Sequence, residues 1–243
     1  MTERPDLSYR IPKVVIAPLE GNDAKAIYDK VPEALRVGTR YDEKTKTVIG
    51  STNLLAVGVD DVVQSLGLRT LNLADLSLPE VMEFARGNHY IDARTLVARS
   101  LSDSYKPNNA LLKRIHDLAE DKVGSVKFPF MIEGFSYVPD GSQGYGVTIV
   151  PKSDFRVIQD ERLQGRNGQK FSEVDETGIP KFDRNGNRTW YAKSEGLSRL
   201  YLVRYLSLDS DDDDLAGSVD NGRVVLRTSE AGSPQNLQGV ELK

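Results

Sequence analysis

The stretch that decides the fold is Leu197-Ser-Arg199-Leu-Tyr201-Leu-Val-Arg204-Tyr205-Leu-Ser-Leu208. As a strand, it places arginine and tyrosine on one face and mainly leucine on the other, which is typical of a strand at the centre of a sheet. As a helix, it instead buries a stripe of leucines with one arginine and one tyrosine. In both cases the stretch is predicted to be part of the core first and a ligand contact only second.

Two charged segments flank this core element. The basic and aromatic run Arg188-Thr-Trp190-Tyr191-Ala-Lys193 lies before it, and the acidic run Asp209-Ser-Asp211-Asp-Asp-Asp214 lies after it. No other part of the sequence concentrates charges, aromatic rings and turn residues in this way. We therefore expect a functional surface at one end of the core element or at the other.

The composition excludes several classes of function. The 243 residues carry a net charge of −4, so the chain lacks the global positive field of dedicated nucleic-acid-binding proteins. There are no cysteines, which excludes disulfides, zinc–thiolate sites, iron–sulfur clusters and cysteine nucleophiles. The two histidines, His89 and His116, are far apart in sequence and offer little basis for a histidine-based catalytic or zinc site.

Neither the N-terminal residues nor the apolar runs of the sequence indicate a membrane protein. The first ten residues are polar and lack the apolar core of a secretory signal. No run of about 20 apolar residues occurs, so no membrane-spanning segment is predicted. We expect a soluble cytoplasmic protein with no membrane partner.

The pattern of apolar residues changes near position 124. Residues 1–123 alternate short strands with amphipathic helices, whereas residues 124–228 contain short β-rich runs with frequent turn signals. Residues 229–243 are rich in small and polar residues and are predicted to form a flexible tail. The predicted fold class is α+β, with an antiparallel β-rich second half that contains several hairpins. The absence of a linker favours one compact unit, although two domains remain an alternative.

Local signals place the helices of the first half. Asn22 or Asp23 can cap a first helix, and the helix around Leu55–Leu66 is predicted to end at Gly67. Ser77-Leu-Pro-Glu80 has the form of a capping box at the start of a third helix. Asn108 or Asn109 begins the fourth and most strongly periodic helix.

Turn signals place the hairpins of the second half. The Asn-Gly pairs are Asn167-Gly168, Asn185-Gly186 and Asn221-Gly222, and each suits a type I′ turn, in which both central residues have positive φ. The pair inside residues 181–190 gives the strongest hairpin prediction.

The first functional hypothesis is a non-enzymatic binding or assembly module. The predicted binding residues are Arg188, Trp190, Tyr191, Lys193 and Arg199. Cations interleaved with aromatic rings are typical of surfaces that hold single-stranded nucleic acid, and they also suit an anionic or protein partner. The alternative is internal: Arg199 and Arg204 can neutralise the acidic run of the same chain. Exposed strand edges leave self-association open as well.

The second hypothesis is a metal-dependent hydrolase or phosphoesterase. Asp209, Asp211 and Asp213 occupy the first three alternating positions of a calcium-binding loop, and their oxygens suit Ca²⁺ or Mg²⁺. The pattern departs from such a loop at Asp214, where glycine is required, and at Asp220, where a bidentate glutamate is expected. A solvated acidic loop is the alternative.

Overall fold

The computed structural model describes residues 16–165 and 168–228, which contain four α-helices and thirteen β-strands. The helices are α1 (Asn22–Lys30), α2 (Asn53–Val63), α3 (Pro79–Arg86) and α4 (Asn108–Val123). The strands are β1 (Ile16–Pro18), β2 (Arg40–Asp42), β3 (Thr47–Ile49), β4 (Leu68–Thr70), β5 (Ile91–Ala98), β6 (Phe130–Pro139), β7 (Val147–Gln159), β8 (Gln169–Val174), β9 (Pro180–Phe182), β10 (Arg188–Ala192), β11 (Leu197–Leu202), β12 (Leu208–Ser210) and β13 (Val225–Thr228). The segment 229–243, predicted to be a tail, lies outside the described residues.

An eight-stranded sheet forms the centre of the molecule and confirms the α+β class. Its strand order is β7-β6-β5-β11-β12-β10-β8-β9. Strand β5 from the first half of the chain is hydrogen-bonded to β6 and to β11 from the second half. Both halves of the sequence therefore contribute strands to one sheet.

Apolar side chains cover both faces of this sheet. On β5, Leu96 belongs to a hydrophobic cluster that includes residues of α1, α2 and α4, whereas Val97 belongs to a second cluster that includes residues of α3. On β11, Leu197 belongs to the first cluster and Leu200 to the second. Because successive strand residues point to opposite faces, β11 is buried from both sides. This confirms that the residues of β11 are part of the core.

The strand formed by the core stretch ends at Leu202, earlier than its apolar pattern indicates. After Leu202 the chain turns, with the Leu206 amide donating to the Val203 carbonyl at 2.7 Å. Leu206 adopts a left-handed conformation, φ 61°. The chain then returns as β12, antiparallel to β11. Residues 203–207, which we call the 203–207 turn, bring Arg204 and Tyr205 to the surface.

Most local predictions for the first half are confirmed. Helix α4 begins at Asn108, as predicted. Helix α1 begins at Asn22, but its N-cap is Gly21 and no side chain caps it, so the prediction that Asn22 or Asp23 is the cap is wrong. Strands β2 and β3 form an antiparallel hairpin. Helix α2 is capped by the Thr52 hydroxyl, which accepts the Leu55 amide hydrogen at 2.9 Å. Gly67 has the expected positive φ of 71° just after the following 3₁₀ turn.

The predicted capping box at Ser77 is wrong. Helix α3 begins at Pro79, its N-cap is Leu78, and no side chain caps it. The Ser77 hydroxyl instead accepts a hydrogen bond from Arg188 Nη1 at 3.0 Å. The Ser77 side chain thus bonds Arg188, which is distant in sequence, and not the start of helix α3.

The hairpin predicted within residues 181–190 is also wrong. Strands β9 and β10 flank Asn185-Gly186, but both pair with β8, which lies between them. A β-carbon on Gly186 would collide with the backbone of Phe171, so this glycine permits a close approach to β8. In the described part of the chain, neither Asn185-Gly186 nor Asn221-Gly222 has positive φ.

The strands of the second half are longer than the sequence indicates, and one pair is parallel. Strand β6 has ten residues and bulges at Gly134 where it pairs with β7. Strand β10 pairs with β12 in parallel. The remaining pairs of the large sheet are antiparallel within the described residues.

Gly134 provides a test of this bulge. Its φ is 72°, and a β-carbon there would collide with the Asp154 carbonyl group. Gly134→Ala is therefore expected to lower the free energy of unfolding by about 2–4 kcal/mol, which combines a left-handed alanine with overpacking. Urea denaturation measures the change.

Gly146→Ala is the matched control in the same hairpin. Its φ is 70°, but a β-carbon would meet nothing within 4 Å. The expected loss is about 1–2 kcal/mol, from the backbone conformation alone. Equal losses for both variants would contradict the close contact at the bulge.

Candidate functional site

A cleft opens beside the 203–207 turn, at the end of β11. Its volume is about 600 Å³. Its walls combine three tyrosine rings, two arginines and an exposed valine, namely Tyr90, Tyr201, Tyr205, Arg199, Arg204 and Val219. We call it the tyrosine cleft. Apolar and aromatic walls with a few polar groups are typical of binding sites.

The tyrosines differ in how firmly they are held. The rings of Tyr90 and Tyr201 meet edge to face with centroids 5.8 Å apart. The Tyr90 hydroxyl donates to the Ser51 carbonyl at 2.7 Å and accepts from the Val219 amide at 3.0 Å. These bonds fix one wall of the cleft before any ligand arrives.

Two other residues of the lining, Tyr205 and Val219, are exposed. Tyr205 is 71% exposed, and the Arg204 guanidinium lies 4.5 Å from its ring centroid. Arg204 also donates to the Asn88 side-chain oxygen at 3.0 Å. Val219 is 62% exposed. A large ring and a branched apolar side chain thus face solvent beside the two rings that are held in place.

Arg199 forms the floor of the cleft and is only 5% exposed. Its Nη1 donates to Asp92 Oδ1 at 2.9 Å, while Nη2 and Nε donate to Asp212 Oδ2 at 2.6 and 3.1 Å. The guanidinium also lies 4.6 Å from the centroid of the Tyr201 ring. The sequence predicts Arg199 as a ligand contact, but its guanidinium is already in contact with two carboxylates and one ring.

The ionisation of this group of residues follows from its burial. Burial raises the pKa of Asp92, and the adjacent Arg199 charge partly offsets the rise. Burial also works against the charged form of Arg199, but the carboxylates of Asp92 and Asp212 outweigh it and raise its pKa. Arg199 is therefore held in its cationic form.

A second carboxyl pair lies beside Tyr201. Burial, together with the neighbouring Asp211 carboxylate, raises the pKa of Asp209 to about 8. Burial and the same acidic residues raise the pKa of Tyr201. Like charges this close do not both ionise readily, so Asp209 retains its proton at a pH where an ordinary aspartate has lost it.

The structure buries three of the five predicted binding residues. Trp190 has no exposed surface, and Arg188 and Arg199 are only 6% and 5% exposed. Tyr191 and Lys193 are partly exposed. Lys193 Nζ lies 3.2 Å from Asp103 Oδ1 and 3.2 Å from Asp213 Oδ2. The five residues thus form no continuous surface. The prediction that they bind a partner now rests on Tyr191 and Lys193.

The acidic run is divided among internal partners. Asp212 pairs with Arg199, and Asp213 pairs with Lys193. The Asp209 side chain accepts the Asp211 amide hydrogen at 3.1 Å. Among residues 16–165 and 168–228, no group of three or more histidine, aspartate or glutamate side chains is gathered where one metal ion could be held. The structure thus contains the alternative role of Arg199, an ion pair with the acidic run of the same chain.

Of the six residues named above as walls of the tyrosine cleft, the sequence predicts only Arg199 as a binding residue. Tyr201, Arg204 and Tyr205 belong to the core stretch, which was expected to be buried. Tyr90 and Val219 come from segments on either side of it, more than 100 positions apart, and the Tyr90–Val219 hydrogen bond spans 129 positions. No local sequence signal predicts that juxtaposition, because it depends on the long-range backbone bridge between Tyr90 and Gly222.

Comparison with known proteins found no match for this chain among protein-family models, curated proteins or solved structures. The helices in the described ranges all fall short of the length and apolar character that a bilayer crossing requires. The geometry of the described residues is therefore the basis for assigning a function.

Replacing Arg199 tests its role beneath the cleft. Arg199→Met leaves Asp92 buried without its cation, so the free energy of unfolding at pH 7 is expected to fall by about 3–5 kcal/mol. The double variant Asp92→Asn/Arg199→Met removes the stranded charge and is expected to be more stable than Arg199→Met alone. Chemical denaturation of the three proteins measures this, and a double variant that is less stable than Arg199→Met contradicts the pairing.

Asp209 predicts a specific pH dependence. Its pKa is raised by folding, so it stabilises the fold at pH values below the ordinary aspartate pKa and loses that contribution as the pH rises to about 8. Asp209→Asn, which resembles the protonated form, is expected to gain stability relative to wild type steadily between about pH 4 and pH 8. Urea denaturation across this range measures the difference, and a constant difference would contradict the raised pKa of Asp209.

Proposed function

We propose that this protein is a non-enzymatic binding module that receives an extended segment of a partner protein in the tyrosine cleft. The observation that carries the proposal is the exposed Tyr205, which faces solvent next to the fixed Tyr90–Tyr201 pair. Tyrosine rings supply a large contact area at a low cost in conformational entropy, which is why they are enriched among the residues that dominate binding energies.

Charge favours a protein segment over a nucleic acid. Asp212 lies in the wall of the cleft, and Asp209 and Asp211 are close enough to Tyr201 to raise its pKa. Arg199 is neutralised by Asp92 and Asp212, which leaves Arg204 as the exposed cation of the cleft's lining. A phosphate backbone would meet carboxylates along this side, and its binding depends on cations.

The same charges indicate what the partner segment carries. Apolar or proline residues suit the ring-lined part of the cleft, because an extended proline-rich segment docks against aromatic grooves with little loss of entropy. Lysine or arginine next to these residues complements the acidic side, which includes Asp211 and Asp212. The ligand class is therefore an extended apolar segment flanked by basic residues.

A fluorescence-polarisation assay tests the proposal with three labelled probes: a proline-rich peptide flanked by lysines, the same peptide flanked by glutamates, and a single-stranded oligothymidine. The lysine-flanked peptide is expected to bind most tightly. Tyr205→Ala is expected to weaken that binding about tenfold, equivalent to about 1.4 kcal/mol, because it removes the exposed ring.

Tyr191→Ala is the matched control, since Tyr191 lies on β10, outside the residues that line the cleft. It is expected to bind the lysine-flanked peptide as the wild type does. Loss of binding in Tyr191→Ala with no loss in Tyr205→Ala would assign the function to the surface predicted from sequence instead. Tighter binding of oligothymidine than of either peptide would overturn the proposed partner class.

A further inference from the structure

We propose that Arg188 is the anchor of a second binding site, which takes a small molecule that carries an oxyanion. The site is a cleft of about 390 Å³ between α3, β8, the start of β10 and the 203–207 turn. Its lining includes Ser77, Arg86, Ser172, Glu173, Asn187 and Arg188. We call it the Arg188 cleft. It shares no lining residue with the tyrosine cleft, so the proposal does not depend on the function proposed above.

The guanidinium of Arg188 is held in place from three sides. Nε donates to the Leu206 carbonyl at 2.7 Å, and Nη1 donates to the Ser77 hydroxyl at 3.0 Å. The ring of Phe171 lies on a third side, with its centroid 4.7 Å from the guanidinium carbon. Ser77 and Leu206 both line the Arg188 cleft, so the guanidinium lies between two of its wall residues.

One nitrogen of Arg188 remains without a partner. Nη2 is buried and has no hydrogen-bond acceptor among the described residues. Burial is the one cause that lowers the pKa of Arg188, to about 10, and no carboxylate of the described residues raises it in return. A buried arginine with an open donor and no counter-charge carries a desolvation cost that a bound anion would offset.

Arg99 is a buried arginine with a structural role, and the fold supplies acceptors for its hydrogen-bond donors. It is 4% exposed, close to the value for Arg188. Its three nitrogens donate to the Leu163 carbonyl, the Ser198 hydroxyl and the Ser210 hydroxyl, at 2.9, 2.6 and 3.0 Å. Every nitrogen of Arg99 is thus bonded inside the fold, whereas Arg188, which lines a cleft, has one buried nitrogen without an acceptor.

The other charges of the Arg188 cleft are already compensated. Arg86 pairs with Glu83 at 2.7 Å on the exposed face of α3. Glu173 is largely exposed, and its carboxylate lies 3.8 Å from Lys181 Nζ. The positive charge of Arg188 is therefore the uncompensated one in this lining, and it selects an anion.

The remaining lining indicates the kind of anion. Ser77, Ser172 and Asn187 add hydroxyl and amide groups that can donate to oxygen. Planar arginine nitrogens match the oxygens of carboxylate and phosphate groups. A volume of about 390 Å³ exceeds what a single inorganic ion fills and falls within the range of small-molecule sites. The ligand class is a small phosphate monoester or carboxylate whose anionic group binds Arg188.

Thermal unfolding of the full chain tests this proposal, with four salts compared at equal ionic strength: inorganic phosphate, glycerol phosphate, citrate and chloride. At least one of the three oxyanions is expected to raise Tm by about 2 °C or more relative to chloride, because a ligand of the folded state stabilises it. The oxyanion that gives the largest rise distinguishes a phosphate ligand from a carboxylate ligand. Equal Tm values in all four salts would overturn the proposal.

Two variants assign the effect to the site. Arg188→Met removes the anchor and is expected to abolish the rise in Tm. Ser172→Phe keeps Arg188 but fills the cleft from an exposed position of β8, where an aromatic residue is compatible with a strand, and it is also expected to abolish the rise. Because Ser172 lies outside the core, this second variant decides the question even if Arg188→Met does not fold.

Arg184→Met is the matched control. It removes the same charge from an exposed position in the turn between β9 and β10 and is expected to retain the full oxyanion-dependent rise in Tm. A rise that persists in both Arg188→Met and Ser172→Phe, or one that Arg184→Met abolishes equally, would show that oxyanions act through general charge effects and not through this cleft.

Discussion

The contact on which the structure depends is the guanidinium of Arg199 between the carboxylates of Asp92 and Asp212. Asp92 is on β5, Arg199 is on the neighbouring β11, and Asp212 is in the loop that follows β12. The three residues tie the centre of the large sheet to the acidic run. Because Asp92 is fully buried, its charge is tolerated only with a cation beside it. The same arrangement neutralises the floor of the tyrosine cleft, so the character of the cleft is set by rings and by its acidic side.

The acidic run illustrates how a fold distributes charges that look alike in sequence. Consecutive aspartates face different partners because the loop has no regular repeat: Asp212 turns to Arg199, and Asp213 to Lys193. Asp209 is left beside Asp211, with a raised pKa. What the sequence presents as one cluster of ligand oxygens becomes two ion pairs and one carboxyl pair. The chemistry of each carboxylate is therefore decided by which cation reaches it.

Sequence patterns predicted those features that depend on neighbouring residues. The start of α4 at Asn108, the end of α2 near Gly67 and the burial of Leu197 and Leu200 all follow from local spacing. The wrong predictions at Ser77 and at Asn185-Gly186 both involve a partner distant in sequence.

Ser77 bonds Arg188 instead of a helix end, and β8 enters between the two strands that Asn185-Gly186 was expected to join. The tyrosine cleft belongs to the same class, since Tyr90 reaches it through strand pairing across more than 100 residues. Local patterns determine the elements, whereas the choice of pairing partners determines the site.

The left-handed Leu206 has a consequence for how the two clefts communicate. Its carbonyl accepts the Arg188 Nε hydrogen in one cleft, and its neighbour Tyr205 stands in the other. A leucine at positive φ is held there only by surrounding bonds, so the 203–207 turn is sensitive to the position of Arg188. Any ligand that shifts this arginine changes the free energy of the turn that carries Tyr205. Thermodynamic linkage is reciprocal, so a ligand of one cleft that changes the free energy of this turn changes the affinity of the other cleft by the same factor that the second ligand changes the first.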